Sequence, residues 1–127
     1  MRLLLDTYTF LWFIDDNPRL SSNAKSLLES DNDLLVSTAS LWEIAIKFST
    51  GKLSLSQPFG PFVRQQLTIN AMDILQIGTA HLHVVSTLPF YHRDPFDRLL
   101  VAQAIVEQLP IVSGDSEFDG YSTQRLW

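Results

Sequence analysis

Short apolar runs, each too brief for a helix, alternate with amphipathic stretches along the chain, and this alternation restricts the fold more than any other feature. Arg2 to Asp6, Leu34-Leu35-Val36, Met72 to Leu75, Ile111 to Ser113 and Gln124 to Trp127 read as strands. Between them the pattern predicts helices. The first runs from Thr7 to about Ile14 and is broken by Asn17-Pro18. The second covers Ala24 to Glu29, capped by Ser21 or Ser22, and the third starts within Ser37 to Ser40, runs to Ser49 and stops at Gly51. A loop marked by Pro58, Gly60 and Pro61 precedes a helix from Phe62 to Ile69. A further helix covers Thr79 to Thr87, and a long one starts at Asp94-Pro95 and reaches Gln108. Strands and helices joined in turn by short loops imply an α/β fold with a mainly parallel sheet. With no repeat, low-complexity tract or linker, residues 1–127 are expected to form a single domain.

The bulk properties exclude several function classes. At 46% hydrophobic and 18% charged residues the chain has the means for a packed core and lacks the composition of a disordered protein. The absence of cysteine removes a disulfide scaffold, a thiolate metal site and a thiol nucleophile. The N-terminal leucines resemble the start of a signal peptide, but Asp6 interrupts them and no small-residue cleavage site follows. No apolar stretch approaches the ~20 residues that span a bilayer, so a cytoplasmic, soluble protein is expected. A net charge of −5 argues against nucleic-acid binding by bulk attraction. It leaves room for an enzyme that grips a phosphate backbone through bound cations.

Four acids stand where an acid is costly. Asp6 closes the leucine run, and Glu43 interrupts the stripe Leu41, Trp42, Ile44, Ala45. Asp97 opens the apolar segment Leu99 to Val106, and Asp115 follows Ile111-Val112. In an open parallel sheet, strand ends and the starts of the following helices share one edge, where ligands bind. The topology therefore brings Asp6, Glu43 and Asp115 together, and Asp97 joins them if its helix starts at the same edge. Two charges about 4 Å apart repel by about 4 kcal/mol at an effective dielectric of ~20, so protons or a cation must neutralise the cluster. Oxygen donors alone favour Mg2+, with Mn2+ as the alternative, and phosphoryl chemistry.

Each acid also has an ordinary structural explanation. Ser40-Leu41-Trp42-Glu43 has the spacing of a capping box. Asp94-Pro95-Phe96-Asp97 reads as a helix start with an aspartate cap and an acid at the third position. Glu43 and Lys47 form an i,i+4 pair worth only tenths of a kcal/mol at a surface. Asp15, Asp16, Asp31, Asp33 and Glu107 read as solvated, and His81 and His83 as core or surface residues. His92 reads as a weak ligand candidate within reach of a substrate. The aromatic run from Tyr8 to Phe13 is too dense to face one core, which points to a second chain on part of it.

The motifs resemble those of the PIN-domain ribonucleases, in particular the VapC-like toxins of bacterial toxin-antitoxin pairs. The matching stretches are Leu4 to Thr7, Ser40 to Lys47, His92 to Leu100 and Val112 to Asp115, in the family's order across nearly the whole chain. The resemblance implies a PIN-like three-layer α/β/α sandwich around a mainly parallel sheet. It also implies a metal-dependent endoribonuclease in which Asp6, Glu43, Asp97 and Asp115 surround Mg2+ or Mn2+ and act as the catalytic acids. Asp94, Ser113 and Thr7 are the further candidate site residues, with the choice between Asp94 and Asp97 as third ligand left open. The implied partners are an RNA substrate, a small antitoxin protein and a second copy of the chain in a homodimer. The competing readings are a PIN nuclease of housekeeping RNA processing and a degenerate, non-catalytic binding module. Retention of all four acids weighs against the latter.

Overall fold

In the computed structural model, which describes all residues Met1–Trp127, five parallel strands form one sheet. These are β1 (Arg2–Leu5), β2 (Asp33–Ser37), β3 (Met72–Leu75), β4 (Ile111–Val112) and β5 (Arg125–Leu126), in the order β3-β2-β1-β4-β5. Leu3, Leu4 and Leu5 pair with Leu34, Leu35 and Val36 on one side, and Leu4 and Leu5 with Ile111 and Val112 on the other. The six helices are α1 (Thr7–Ile14), α2 (Ser22–Glu29), α3 (Thr38–Ser49), α4 (Phe59–Ile69), α5 (Thr79–Thr87) and α6 (Pro95–Glu107). A 3-10 turn over Ser116–Gly120 joins β4 to β5.

Strand alternation divides the core between the two faces of the sheet. Leu3, Leu5, Leu34 and Val36 pack with Phe10, Leu11, Ala24, Ile44 and Phe62, on the side of α1, α2 and α4. Leu4, Leu35 and Ile111 pack with Leu99, Leu100, Val101 and Ala104 of α6 and with Phe118. The central strands are apolar at successive positions because helices cover both faces. No helix is long and apolar enough to cross a membrane.

Two local readings change and one element is new. Helix α3 is capped by the Ser37 hydroxyl, which accepts from the Ala39 N–H at 3.0 Å. Ser40 and Glu43 therefore form no capping box, and the buried Ser40 hydroxyl has no hydrogen-bond partner. Helix α4 begins at Phe59 rather than Phe62, because proline in a first turn has no hydrogen bond to lose. The 3-10 turn after Asp115 carries no periodic signal and was not expected. The aromatic run divides: Phe10 is buried, Trp12 and Phe13 lie partly buried against the core, and Tyr8 is 46% exposed.

Candidate active site

Strand β1 lies between β2 and β4, so the chain leaves it at the point where strand order reverses. Asp6 is the next residue. It is buried and caps α1, its Oδ1 accepting from the Thr9 N–H at 2.7 Å. The hydroxyl of Ser113, just past β4, donates to Asp6 Oδ2 and accepts from the Asp115 N–H at 3.0 Å. One serine thus ties the acid after β1 to the acid after β4. The hydroxyl of Thr7 is buried beside them with no hydrogen-bond partner.

The loop before α6 brings the remaining groups. Asp94 is the cap, its Oδ1 accepting from the N–H groups of Phe96 and Asp97 at 2.9 and 3.1 Å. Asp97 has no capping duty and shares one cavity of about 440 Å³ with Asp6 and Asp115. Its carboxyl is pushed up from 3.8 to about 7, first by burial and then by the charges of Asp94, Asp6 and Glu43, with His92 opposing. Asp6 is raised as well, by burial above all and by Asp115, against hydrogen bonds from Ser113 and Thr9. These two acids hold protons more tightly than ordinary aspartates because burial disfavours their charged forms and neighbouring carboxylates add to that.

His92, ranked low in the sequence, is buried within this cluster. Its Nε2 lies 2.8 Å from Asp115 Oδ2 and 3.1 Å from Asp97 Oδ2. Nδ1 accepts from the Asp94 N–H at 3.2 Å, so in the neutral ring Nε2 carries the proton and donates to the carboxylates. Burial alone lowers the imidazole pKa, but Asp115, Asp97 and Glu117 outweigh it and raise it. His92, Asp115 and Glu117 bring one ligand atom each to within 4.8 Å of one another. Glu117 went unnoticed in the sequence, where its only signal is its position two residues after Asp115.

Glu43 is buried on α3, where Lys47 Nζ meets its Oε2 at 2.7 Å and also donates to the Tyr8 hydroxyl at 2.7 Å. The ion pair is thus half inside the protein, not the surface pair expected. Its hydrogen bonds and charge raise the Lys47 pKa despite partial burial. Glu43 lies close enough for its negative charge to help raise the Asp97 pKa. Asp94 offers a test of its own role. At about pH 4, where Asp97 is protonated, Asp94→Ala should cost roughly 0.5–2 kcal/mol of stability, whereas Asp94→Asn keeps the cap and should melt as the parent does. Equal losses in both variants, measured by thermal unfolding, would show that the Asp94 charge and not its cap is what matters.

The profile of the PIN domain matches residues 3–123. The chain belongs to the PIN domain family. No curated protein matches it significantly. Among solved structures this PIN domain is similar to VapBC2 from Rickettsia felis bound to a promoter DNA fragment, at 18% identity and a TM-score of 0.72, covering 99% of this chain and 98% of that one. It is also similar to FitAcB from Neisseria gonorrhoeae, at 16% identity and a TM-score of 0.71, covering 98% and 96%. A toxin-antitoxin complex from Klebsiella pneumoniae aligns at 14% identity and a TM-score of 0.67, covering 98% and 96%. At such identities the likeness is one of fold, and it bears out the three-layer α/β/α architecture with a parallel central sheet.

Proposed function

We propose that this PIN domain, folded as one unit over 1–127, is a divalent-cation-dependent endoribonuclease and the toxin of a toxin-antitoxin pair. The observation that carries the reading is the meeting of Asp6, Asp97 and Asp115 in one cavity at the carboxyl edge of the sheet, with Glu43 buried alongside. The donor set fits Mg2+ or Mn2+. It consists of the carboxylate oxygens of Asp6, Glu43, Asp97 and Asp115, the hard donors that these ions take. Asp6, Glu43, Asp97 and Asp115 would hold the ion, which supplies Lewis acidity and lowers the pKa of water at neutral pH.

The chain's own groups prepare that site. Ser113 orients the carboxylate of Asp6 and the backbone of Asp115 together. His92 spans Asp97 and Asp115 and sets their separation. Lys47 balances Glu43 and is held in turn by Tyr8. These contacts leave the acids already fixed in position, so little reorganisation would remain for the reaction itself. The toxin role, a cytoplasmic setting, an antitoxin and a homodimeric state rest on the motif resemblance and on structural neighbours that are toxin-antitoxin assemblies by name.

Purified protein should cut total RNA with Mg2+ or Mn2+, stop in EDTA, and resume when the metal is restored. Cleavage that persists in EDTA through repurification and follows the protein peak would sink the reading.

A further inference from the structure

The cavity that holds the acids is not lined by acids alone. Tyr8, Trp12, Trp127 and Arg19 line the rest of it. We propose that these rings form a stacking subsite for an unpaired nucleobase of the RNA strand next to the phosphate being cut. The proposal rests on the nuclease reading of the same cavity.

The aromatic lining is built in place. Trp127 follows β5, which pairs in parallel with β4, and the Asn23 side chain donates to its carbonyl at 3.1 Å. Its indole lies against Gly114, between Ser113 and Asp115, where an added Cβ would come within 2.9 Å of the ring. Only glycine lets the indole approach the turn so closely. On α1, Phe10 and Leu11 go into the core, while Tyr8 and Trp12 lie toward the cavity.

The rings do not close on one another. Tyr8 and Trp12 have centroids 5.9 Å apart with planes at 40°, and Trp12 and Trp127 lie 6.1 Å apart at 58°. Lys47 lies over the Tyr8 ring at 4.8 Å from its centroid, and Trp12 and Trp127 rest partly against the core. All three rings still border the cavity, where a flat π-system can lie against them. Arg19 lies with its guanidinium 6.0 Å from the Trp12 ring centroid and forms no ion pair. In a chain of net charge −5, an unpaired cation beside three carboxylates suits the phosphate of a neighbouring nucleotide. The volume of about 440 Å³ is within the range of small-ligand pockets. A nucleotide whose phosphate sits at the acids carries its base into this same space, which favours RNA over a peptide. Stacking is tolerant of sequence, because every base has a π-face, and it requires a base outside a duplex.

The test uses the full chain carrying Asp97→Asn to prevent cleavage, with a labelled single-stranded oligouridylate as probe. Affinity is read by anisotropy and by quenching of tryptophan fluorescence. Trp12→Ala and Trp127→Ala should each raise Kd roughly 5- to 150-fold, and Trp12→Phe should recover most of the loss. Abasic positions in the probe should weaken binding to the parent by a similar factor and remove the difference between parent and Trp12→Ala. Circular dichroism identifies the folded variants. Folded alanine variants that bind the intact probe like the parent, or a parent indifferent to abasic positions, overturn the proposal. Unchanged oligonucleotide affinity with lost affinity for a co-expressed antitoxin also overturns it, in favour of a peptide groove. RNA cleavage by the wild-type chain with Mn2+ is scored separately. Its absence sinks the nuclease reading, while base-dependent binding would still uphold the subsite.

Discussion

Asp97→Asn should abolish RNA cleavage and raise the melting temperature of the metal-free protein at about pH 8, with almost no gain at about pH 4. The folded Asp97 carboxyl titrates at about 7, against 3.8 ordinarily, because it is buried and faces Asp94, Asp6 and Glu43. A folded-state pKa above the unfolded one means the folded protein binds the proton more tightly. The associated stability is therefore fully present below the ordinary value of 3.8 and is lost as pH rises through about 7. His92, whose pKa is also raised, loses its contribution in the same direction. The full shift of Asp97 corresponds to a ceiling of about 4 kcal/mol. The partly exposed carboxyl and its contact with His92 reduce the expected gain to about 1–2 kcal/mol, or several degrees in Tm.

Mn2+ should produce the same recovery in the parent at high pH, through binding to the folded state, and a much smaller one in the variant. Melting curves in EDTA and in Mn2+ across this pH range separate the contributions. A variant that melts like the parent at every pH would remove Asp97 from the charged cluster. If Asp94→Asn is the inactive and stabilised one instead, the third ligand is Asp94.

Arg98→Ala should cost roughly 3–5 kcal/mol, enough to unfold much of the protein near its melting range. Arg98 is buried without a carboxylate partner. Its Nη1 donates to the carbonyls of Pro89 at 2.9 Å and His92 at 3.4 Å, and its Nη2 to those of Leu88 at 3.0 Å and Val85 at 3.4 Å. The guanidinium lies 3.9 Å from the Phe90 ring centroid. Truncation leaves these carbonyls without donors in the interior. They belong to the segment that carries His92 to the acids, so the loss should reach the site as well as the fold. Arg98→Lys should fail almost as badly, because one ammonium cannot reproduce a planar fork of donors. Tyr121→Phe removes the hydroxyl that donates to Pro89 at 2.7 Å and accepts from the His92 N–H, and should cost only about 1–2 kcal/mol. Urea unfolding gives the order. An Arg98→Ala midpoint equal to the parent's would mean that water replaces the guanidinium without cost.

Where the sequence was legible, the signal was local. Strand β3 and helix α5 have the predicted limits, Ser21 caps α2, and Asp94-Pro95 opens α6. These features depend on periodicity, on proline geometry and on side chains that reach their own backbone. The same local reasoning misled at Ser40 to Glu43, where two helix-start patterns overlap. Ser37 caps the helix from the end of β2, and Glu43 is turned inward to Lys47.

The alternation of strands and helices by itself pointed to a mainly parallel α/β sheet and directed Asp6, Glu43 and Asp115 to one edge of it, because strand ends and helix starts share that edge. Asp97 depended on where its helix starts. Which groups meet there was decided only by the tertiary structure. His92 and Asp115 are 23 residues apart and Ser113 and Asp6 are 107 apart, yet each pair is within hydrogen-bond reach. Trp12 and Trp127, near opposite ends of the chain, line the cavity beside the acids. Such distances depend on the packing of α6 and of the β4–β5 turn against the sheet. No periodicity within one segment encodes them.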